Sequence, residues 1–261
     1  MNKIFKIKAR QVFDSRGNPT IEAEVYSKNT SASAICPSGA STGTYEAYEK
    51  RDKKNKRYLG KSVLIAVNLV NTKILKKLKG QNVHDQQRID TLLINLDGTK
   101  QKSNLGANAI LAVSIAVKKL SAKIKKLPLY ETFLVKKNFQ LPYPMMNVIN
   151  GGAHANNGLR IQEFMIRPDK ARNFSEAIRI CFIVINNLKN LIKKKGLSIS
   201  VGDEGGFAPM ISSNEKALDL IVAAIKKSGF KNGKDVSICL DVAANELFKK
   251  NKYSIHSKKF I

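Results

Sequence analysis

The sequence predicts an α/β protein in which a small N-terminal α+β domain is followed by the first half of a β/α barrel. Three observations carry this prediction. Residues 4–36 alternate apolar and polar positions between turn signals, as strands do. Residues 62–128 change to a helical period. From residue 138 onward, strand and helix patterns alternate, which is typical of barrels whose strands are joined by helices.

The N-terminal pattern predicts three strands joined as a β-meander. The strands are expected at Ile4–Phe13, Thr20–Tyr26 and Ala32–Cys36, and the first turn at Ser15–Pro19. Glycine, asparagine and proline follow one another in that turn, and these residues favour reversal of the chain.

Two helices with one apolar face each are predicted to cover this meander. Both stripes end at a helix-terminating residue, Gly80 for the first and Pro128 for the second. The apolar positions of the two stripes are Val63, Val67, Val70, Ile74 and Leu78, then Ile110, Val113, Val117, Leu120 and Ile124. Residues 1–136 are therefore expected to form one domain and residues 138–261 a second.

Four strands are predicted in the second domain. Met145–Asn150 and Gln162–Arg167 are expected to pair as an antiparallel hairpin, which brings the start of one strand to the end of the other. Leu197–Val201 and Val236–Asp241 are the other two.

Two helices are predicted between these strands. The first is expected to be capped by Ser175 and to end at Gly196, and the second to be capped by Asn214 and to end at Gly229. The inward positions predicted for the first helix are Ile178, Cys181, Phe182, Ile185, Leu188 and Ile192.

The charge of the chain allows two interpretations. Lys and Arg number 46 against 20 Asp and Glu, a formal net charge of +26, which is compatible with a nucleic-acid partner. However, the lysines are scattered in doublets, and the aromatic residues, 7% of the chain, are not interleaved with them. Ordinary solvated surfaces are the favoured interpretation.

The cysteine content and the start of the chain indicate a cytoplasmic protein. Cys36, Cys181 and Cys239 are widely spaced and odd in number, which favours neither a disulfide framework nor a zinc site. The first eight residues interrupt their apolar positions with lysines, unlike a signal peptide, and no apolar stretch reaches the length of a membrane span.

Carboxylates mark the predicted barrel edge. Glu204 and Asp241 each close a short apolar run, and the hairpin would bring Glu163 to the same edge. Neighbouring carboxylates raise one another's pKa, so that one can hold a proton while a metal ion keeps another ionised. The alternative is salt bridging to the lysines. The glycines around Glu204, at positions 202, 205 and 206, favour a site because exposed acids do not require a tight backbone.

Two loops carry weaker signals. Pro37–Thr44 is rich in glycine and hydroxyl side chains and could approach a phosphate or a metal, although such loops are more often plain turns. His154 lies just past a predicted strand end, where a proton carrier or phosphate contact is useful; a lone loop histidine is more often a surface residue.

Seven segments together resemble the enolase family, in order, over residues 1 to about 255. The segments are Asp14–Thr20, Pro37–Gly43, Leu96–Thr99, Gly106–Ile110, Asn150–His154, Gln162–Met165 and Val201–Phe207. The resemblance implies an enolase-type barrel, a cytoplasmic glycolytic lyase that converts 2-phosphoglycerate to phosphoenolpyruvate with two Mg²⁺ ions, and a homodimer.

The resemblance also implies roles for six residues of this sequence. The two catalytic carboxylates are Glu204 as the general acid and Glu163 as its support. The substrate would contact His154 and Gln162. Asp241 would be the first of three carboxylates on the tighter Mg²⁺, and Ser41 would bind the second Mg²⁺ from a closing loop.

This sequence departs from the family pattern near its end. The base lysine, two further Mg²⁺ carboxylates and the phosphate-binding residues that the resemblance implies have no counterpart in residues 242–261. Residues 138–261 amount to about half of the roughly 250 residues of a complete barrel. We therefore expect a C-terminally truncated enolase with impaired activity. The alternatives are a non-catalytic remnant, an RNA- or protein-binding module, for example in an RNA-degrading assembly, or a decaying or interrupted gene.

Overall fold

The computed structural model describes residues 2–255 except residues 40, 41, 55, 134–139 and 203. The chain divides into two compact units, Met1–Phe139 and Gln140–Ile261, each with its own hydrophobic core.

The first unit begins with the predicted antiparallel meander, ordered β1-β2-β3. The strands are β1 (Lys6–Phe13), β2 (Pro19–Tyr26) and β3 (Ser31–Cys36). The first turn is closed by Asp14, whose carboxylate accepts the backbone N–H groups of Arg16 and Asn18 at 2.9 Å each. β1 starts later than predicted because Ile4 donates its N–H to the Gln81 carbonyl at 2.8 Å, outside the meander.

Helices cover one face of this meander. A continuous helical stretch comprises α1 (Leu64–Leu69), a π-helical turn (Val70–Ile74) and α2 (Leu75–Leu78), where the sequence predicts one uniform helix. α4 (Ala107–Lys125) packs against β2 and β3. The apolar positions predicted to face the core are buried or packed against it, because both stripes turn toward the sheet.

One helix of the first unit is missing from the prediction. α3 (Gln86–Asp97) is capped by the Asp85 carboxylate, which accepts the Arg88 N–H at 3.1 Å, and ends at Gly98 with φ of 71°. Its only fully buried apolar residues are Ile89 and Leu93, so its apolar period is too weak to see in the sequence.

The second unit is built on a three-stranded sheet with β5 at its centre. β4 (Met146–Asn150) and β5 (Glu163–Arg167) form the predicted antiparallel hairpin, and β6 (Ser237–Asp241) pairs antiparallel with β5. β4 and β6 therefore end at the edge where β5 begins.

Two helices pack on this sheet, and their starts differ from the prediction. α5 (Phe174–Lys194) is capped by Asn173 rather than Ser175, since the Asn173 side chain accepts the Glu176 N–H at 2.9 Å. α6 (Asn214–Lys227) is capped by Ser213 rather than Asn214. Each helix ends just before the predicted glycine, and both glycines have positive φ.

The buried face of α5 is rotated relative to the prediction. Ile178 and Phe182 were expected to point inward but are 40% and 63% exposed. Ile180 and Val184 are buried in their place, because they lie on the same face as Cys181, Leu188 and Ile192.

The predicted strand Leu197–Val201 is wrong. Residues 197–200 form no strand, and Val201 makes only an isolated bridge with Phe207. Phe207 itself bridges Ile149 in parallel, and Gly202 donates its N–H to the Gly206 carbonyl at 2.9 Å, so the chain reverses between these two glycines beside β4. Glu204 consequently lies in a turn and not at the end of a strand.

Short elements complete the described chain. They are three 3₁₀ turns (Arg57–Gly60, Leu129–Phe133 and Gly152–His154), α7 (Ala244–Leu247), β7 (Phe248–Lys249) and β8 (Lys252–Tyr253). Among the described residues, none of the helices has the length and apolar content needed to cross a lipid bilayer.

Candidate functional site

Three strand termini meet at one edge of the second unit. In the strand register, Glu163 at the start of β5 lies opposite both Asn150 at the end of β4 and Asp241 at the end of β6. Antiparallel pairing produces this arrangement, because the direction of β5 is reversed relative to its neighbours. Glu163 and Asp241 are therefore adjacent carboxylates at one end of the sheet.

His154 lies between two carboxylates. It ends the 3₁₀ turn that follows β4, and its side chain is only 5% exposed. Its Nδ1 atom lies 3.3 Å from Glu163 Oε1, and its Nε2 atom lies 3.9 Å from Glu204 Oε1. Nδ1 is buried and has no aligned hydrogen-bond partner among the described residues. The predicted surface alternative for this histidine is wrong, since the ring is enclosed.

Glycines allow the turn that carries Glu204 to approach the sheet. A Cβ atom on Gly202 would lie 2.7 Å from the His154 carbonyl oxygen, and one on Gly206 would lie 2.9 Å from the Val148 carbonyl carbon. Both distances are shorter than real Cβ contacts, so a side chain at either position would push the turn outward. The Glu204 side chain itself is 48% exposed, so it is open to a small molecule at this edge.

The surroundings of Glu163 raise its pKa. Burial raises the pKa of Glu163, and the negative charges of Asp241 and Glu204 raise it further, whereas His154 opposes the shift. The net effect is a pKa above the ordinary carboxyl value. A pKa shifted by burial and by neighbouring charges marks Glu163 as a candidate for acid–base chemistry.

The donor set can be compared with the needs of a metal ion. One ligand atom from each of His154, Glu163 and Glu204 lies within 4.8 Å of the others. Mg²⁺ prefers carboxylate oxygens and water, and one or two protein carboxylates are the usual number. Asp241 fits this preference: one of its oxygens is oriented by the Ala243 N–H at 3.0 Å, and it lies opposite Glu163, where a cation would offset the repulsion between the two carboxylates.

The remaining predicted residues are placed unequally. Gln162 is 3% exposed, and its Oε1 atom is buried without a hydrogen-bond partner among the described residues. An unpaired buried acceptor is costly, and a catalytic role or a bound ion or water is among the explanations for one. Ser41 lies outside the described residues. Elsewhere in its loop, Ser38 is fixed by Glu49 and by Arg51 Nη2, the latter at 2.9 Å.

Asn150 contributes to the site in a way that the sequence pattern did not reveal. This residue is fully buried, and its Nδ2 atom donates to the Gly206 carbonyl at 2.6 Å. Its Oδ1 atom accepts from Asn147 Nδ2 at 2.7 Å. An asparagine that closes a strand and is followed by two glycines was the available signal, because a buried amide at such a point needs partners on both of its atoms.

Comparison with known proteins gives matches over nearly the whole chain. The family profile described as "Enolase, N-terminal domain" matches residues 4–133, and the profile "Enolase, C-terminal TIM barrel domain" matches residues 138–260. The chain is 85% identical over 261 residues to the enolase of Pelagibacter ubique (strain HTCC1062). The match covers 100% of this chain and 62% of that relative. The barrel match agrees with the β/α fold predicted for the second domain.

Proposed function

The chain belongs to the enolase family, and from this premise we propose that its second unit carries the acid side of an Mg²⁺-dependent site that dehydrates 2-phosphoglycerate to phosphoenolpyruvate. The observation that supports this proposal is the cluster of His154, Glu163 and Glu204 beside Asp241. Loss of water from this substrate requires a proton for the departing hydroxyl group. A pair of carboxylates with a histidine between them is suited to deliver it.

In the proposed reaction Glu204 donates the proton to the leaving hydroxyl group. Its half-exposed carboxyl group is accessible from solvent, and His154 Nε2 lies 3.9 Å away. Glu163 supports Glu204 as the second carboxyl group at the same edge, with a pKa raised by burial. His154 and Gln162 contact the substrate, the latter through its unpaired Oε1 atom.

Mg²⁺ would be held at this edge by Asp241. The resemblance assigns a second ion to Ser41, which lies outside the described residues. When bound, the ions neutralise the negative charge that develops on the substrate carboxylate as the neighbouring carbon loses its proton. We further propose that the domains at 1–136 and 138–261 correspond to those of the family and that the whole protein is a homodimer in glycolysis.

The chain spans 62% of the length of the curated relative that it matches. The resemblance assigns three carboxylates to the tighter Mg²⁺, and we assign one of them here, Asp241. The 261-residue chain assayed alone is therefore expected to give no measurable dehydration. Adding a second polypeptide, which carries the part of the Pelagibacter ubique enolase that this chain does not match, is expected to restore phosphoenolpyruvate formation.

The restored protein allows a direct test of Glu204. Glu204→Gln keeps the shape of the side chain but removes the acid, so turnover should fall by a factor of about 10² to 10⁴. Asp219→Asn, a change of an exposed carboxylate on α6, is the matched control and should keep full activity. Turnover of Glu204→Gln within tenfold of the unchanged protein would contradict the proposed role.

A further inference from the structure

The turn that carries Glu204 is tied to the sheet by very few groups. Within the turn, Gly205 donates to Gly202 and Gly202 donates to Gly206, which shapes the reversal but does not fix it in place. Two backbone hydrogen bonds join its end to β4: Phe207 N–H to the Val148 carbonyl at 3.0 Å and Asn150 N–H to the Phe207 carbonyl at 2.8 Å.

One side-chain hydrogen bond also joins this turn to β4, and Asn150 donates it. Its Nδ2 atom donates to the Gly206 carbonyl at 2.6 Å, and both groups are buried. Among the described residues, no other side chain hydrogen-bonds to a backbone group of residue 202 or of residues 204–207. A Cβ atom on Gly202 would lie 2.8 Å from Asn150 Nδ2, and one on Gly206 would lie 3.1 Å from it, so the turn packs directly on this amide.

Asn150 is also a neighbour of Glu163 and His154. It is directly opposite Glu163 in the register of β4 and β5, and four residues before His154. A single buried side chain thus links the strand pair that positions Glu163 to the turn that positions Glu204. The amide is itself held, because its Oδ1 atom accepts from Asn147 at 2.7 Å.

We propose that Asn150 is a positioning residue for the reaction, which sets the separation of Glu204 from His154 and Glu163 through its hydrogen bond to Gly206. This inference rests on the proposed function, because the separation of Glu204 from His154 and Glu163 matters to catalysis only if these residues take part in the reaction. Asparagine is required chemically. The amide must donate to one carbonyl while it accepts from another amide, and aspartate of the same shape offers no donor when it is ionised.

The test replaces Asn150 by aspartate and compares it with Asn187→Asp. Asn187 is half-buried on α5 in the same unit, and its Nδ2 atom likewise donates to a backbone carbonyl, that of Ile183, at 3.2 Å, away from the Glu204 turn. Amide hydrogen exchange is measured on the 261-residue chain. In Asn150→Asp, exchange at Gly202 and Phe207 should rise about tenfold or more, while the amides of β5 keep their protection. Asn187→Asp should leave Gly202 and Phe207 unchanged.

A second variant covers the case in which Asn150→Asp fails to fold. Gly206→Ala leaves Asn150 in place but adds a Cβ atom too close to Val148, so it should loosen the same amides by a similar factor. Unchanged exchange at Gly202 and Phe207 in the folded variants would overturn the proposal. Equal loosening of the turn by Asn187→Asp would also overturn it.

A kinetic readout in the restored protein separates positioning from a general loss of structure. Displacing Glu204 should lower kcat by about tenfold or more with little change in KM, because misplacement of a reacting group acts on the transition state. A raised KM with unchanged kcat would overturn the role of Asn150. If the restored protein is inactive, the proposed function fails, and the exchange experiment alone decides whether Asn150 holds the turn.

Discussion

Two carboxyl groups, the buried Asp97 in the first unit and the partly buried Glu163 in the second, have pKa values shifted in opposite directions. Asp97 ends α3 in the first unit. Burial by itself would raise its pKa, but the Leu105 N–H at 2.7 Å, the Thr99 hydroxyl and the Thr99 N–H at 3.0 Å more than offset this, and the net pKa is lowered. In the second unit burial raises the pKa of Glu163, and nearby Asp241 and Glu204 add to the increase.

The difference lies in what each carboxylate faces. Asp97 faces hydrogen-bond donors that bind its charged form, so it serves as a structural clamp that closes the end of a helix. Glu163 accepts no comparable set of hydrogen bonds; burial and the negative charges of Asp241 and Glu204 raise its pKa, and His154 offsets only part of the increase. Burial alone does not distinguish a structural acid from a functional one, whereas the chemistry of the neighbours does.

The largest expected effect is on catalysis by Glu163. In the restored protein, Glu163→Gln should lower turnover about 10²-fold or more, since it removes an ionisable group from the acid pair. Asp97→Asn should leave turnover per folded molecule unchanged. The measurement is the steady-state rate of phosphoenolpyruvate formation, corrected for the folded fraction. Equal losses from the two substitutions would remove the distinction between the acids.

The next effect is on the stability of the first unit. Asp97→Asn replaces a carboxylate oxygen with an NH₂ group that confronts N–H donors, so the free energy of unfolding should fall by about 1–3 kcal/mol. Because the Asp97 pKa is lowered by folding, its contribution is present above the ordinary carboxyl pKa and disappears as the pH falls through the lower, folded-state pKa. The difference from the unchanged chain should therefore shrink in acid.

Urea unfolding followed by circular dichroism at pH 7 and in acid measures this loss. Asp85→Asn is the matched control on the same helix. Because asparagine caps a helix as well as aspartate does, this substitution should lower the free energy of unfolding by only about a few tenths of a kcal/mol. A loss at Asp97 no larger than that at Asp85 would mean that its three hydrogen bonds contribute little.

A smaller effect of opposite sign is expected for Glu163. Its pKa is raised by folding, so its stabilising contribution is present below the ordinary carboxyl pKa and is lost as the pH rises through the raised value. Glu163→Gln mimics the protonated form. The free energy of unfolding of this variant, minus that of the unchanged chain, should therefore be larger at pH 7 than at about pH 4, which is close to the ordinary carboxyl pKa. Urea unfolding at both pH values checks the sign, and a reversed sign would contradict the raised pKa.

The smallest effect concerns Mg²⁺. An ion bound only to the folded chain should stabilise the second unit by about 1 kcal/mol when its concentration is a few times the dissociation constant. Mg²⁺ should therefore raise the unfolding temperature of the unchanged chain. Asp241→Asn should abolish this rise, whereas Asp219→Asn should retain it. A rise of equal size in the Asp241 variant would place the ion elsewhere.

The sequence by itself determined the elements with strong periodicity. The meander, α4 and the β4–β5 hairpin follow from alternation, apolar stripes and turn residues, which act over a few neighbouring positions. Local pattern failed where the apolar signal was weak, as in α3. It also failed where a helix face was chosen by the packing of the sheet rather than by the helix, as with Ile178 and Phe182 on α5.

The candidate site divides in the same way. The residue types at positions 154, 163, 204 and 241 were visible in the sequence, and the hairpin placed Glu163 at the edge shared with β4. Only the tertiary structure decided that Glu204 lies in a turn against β4 and that Asn150 holds this turn. Those contacts join residues more than fifty positions apart, and a hydrogen bond between a buried amide and a distant carbonyl leaves no periodic signal in the chain.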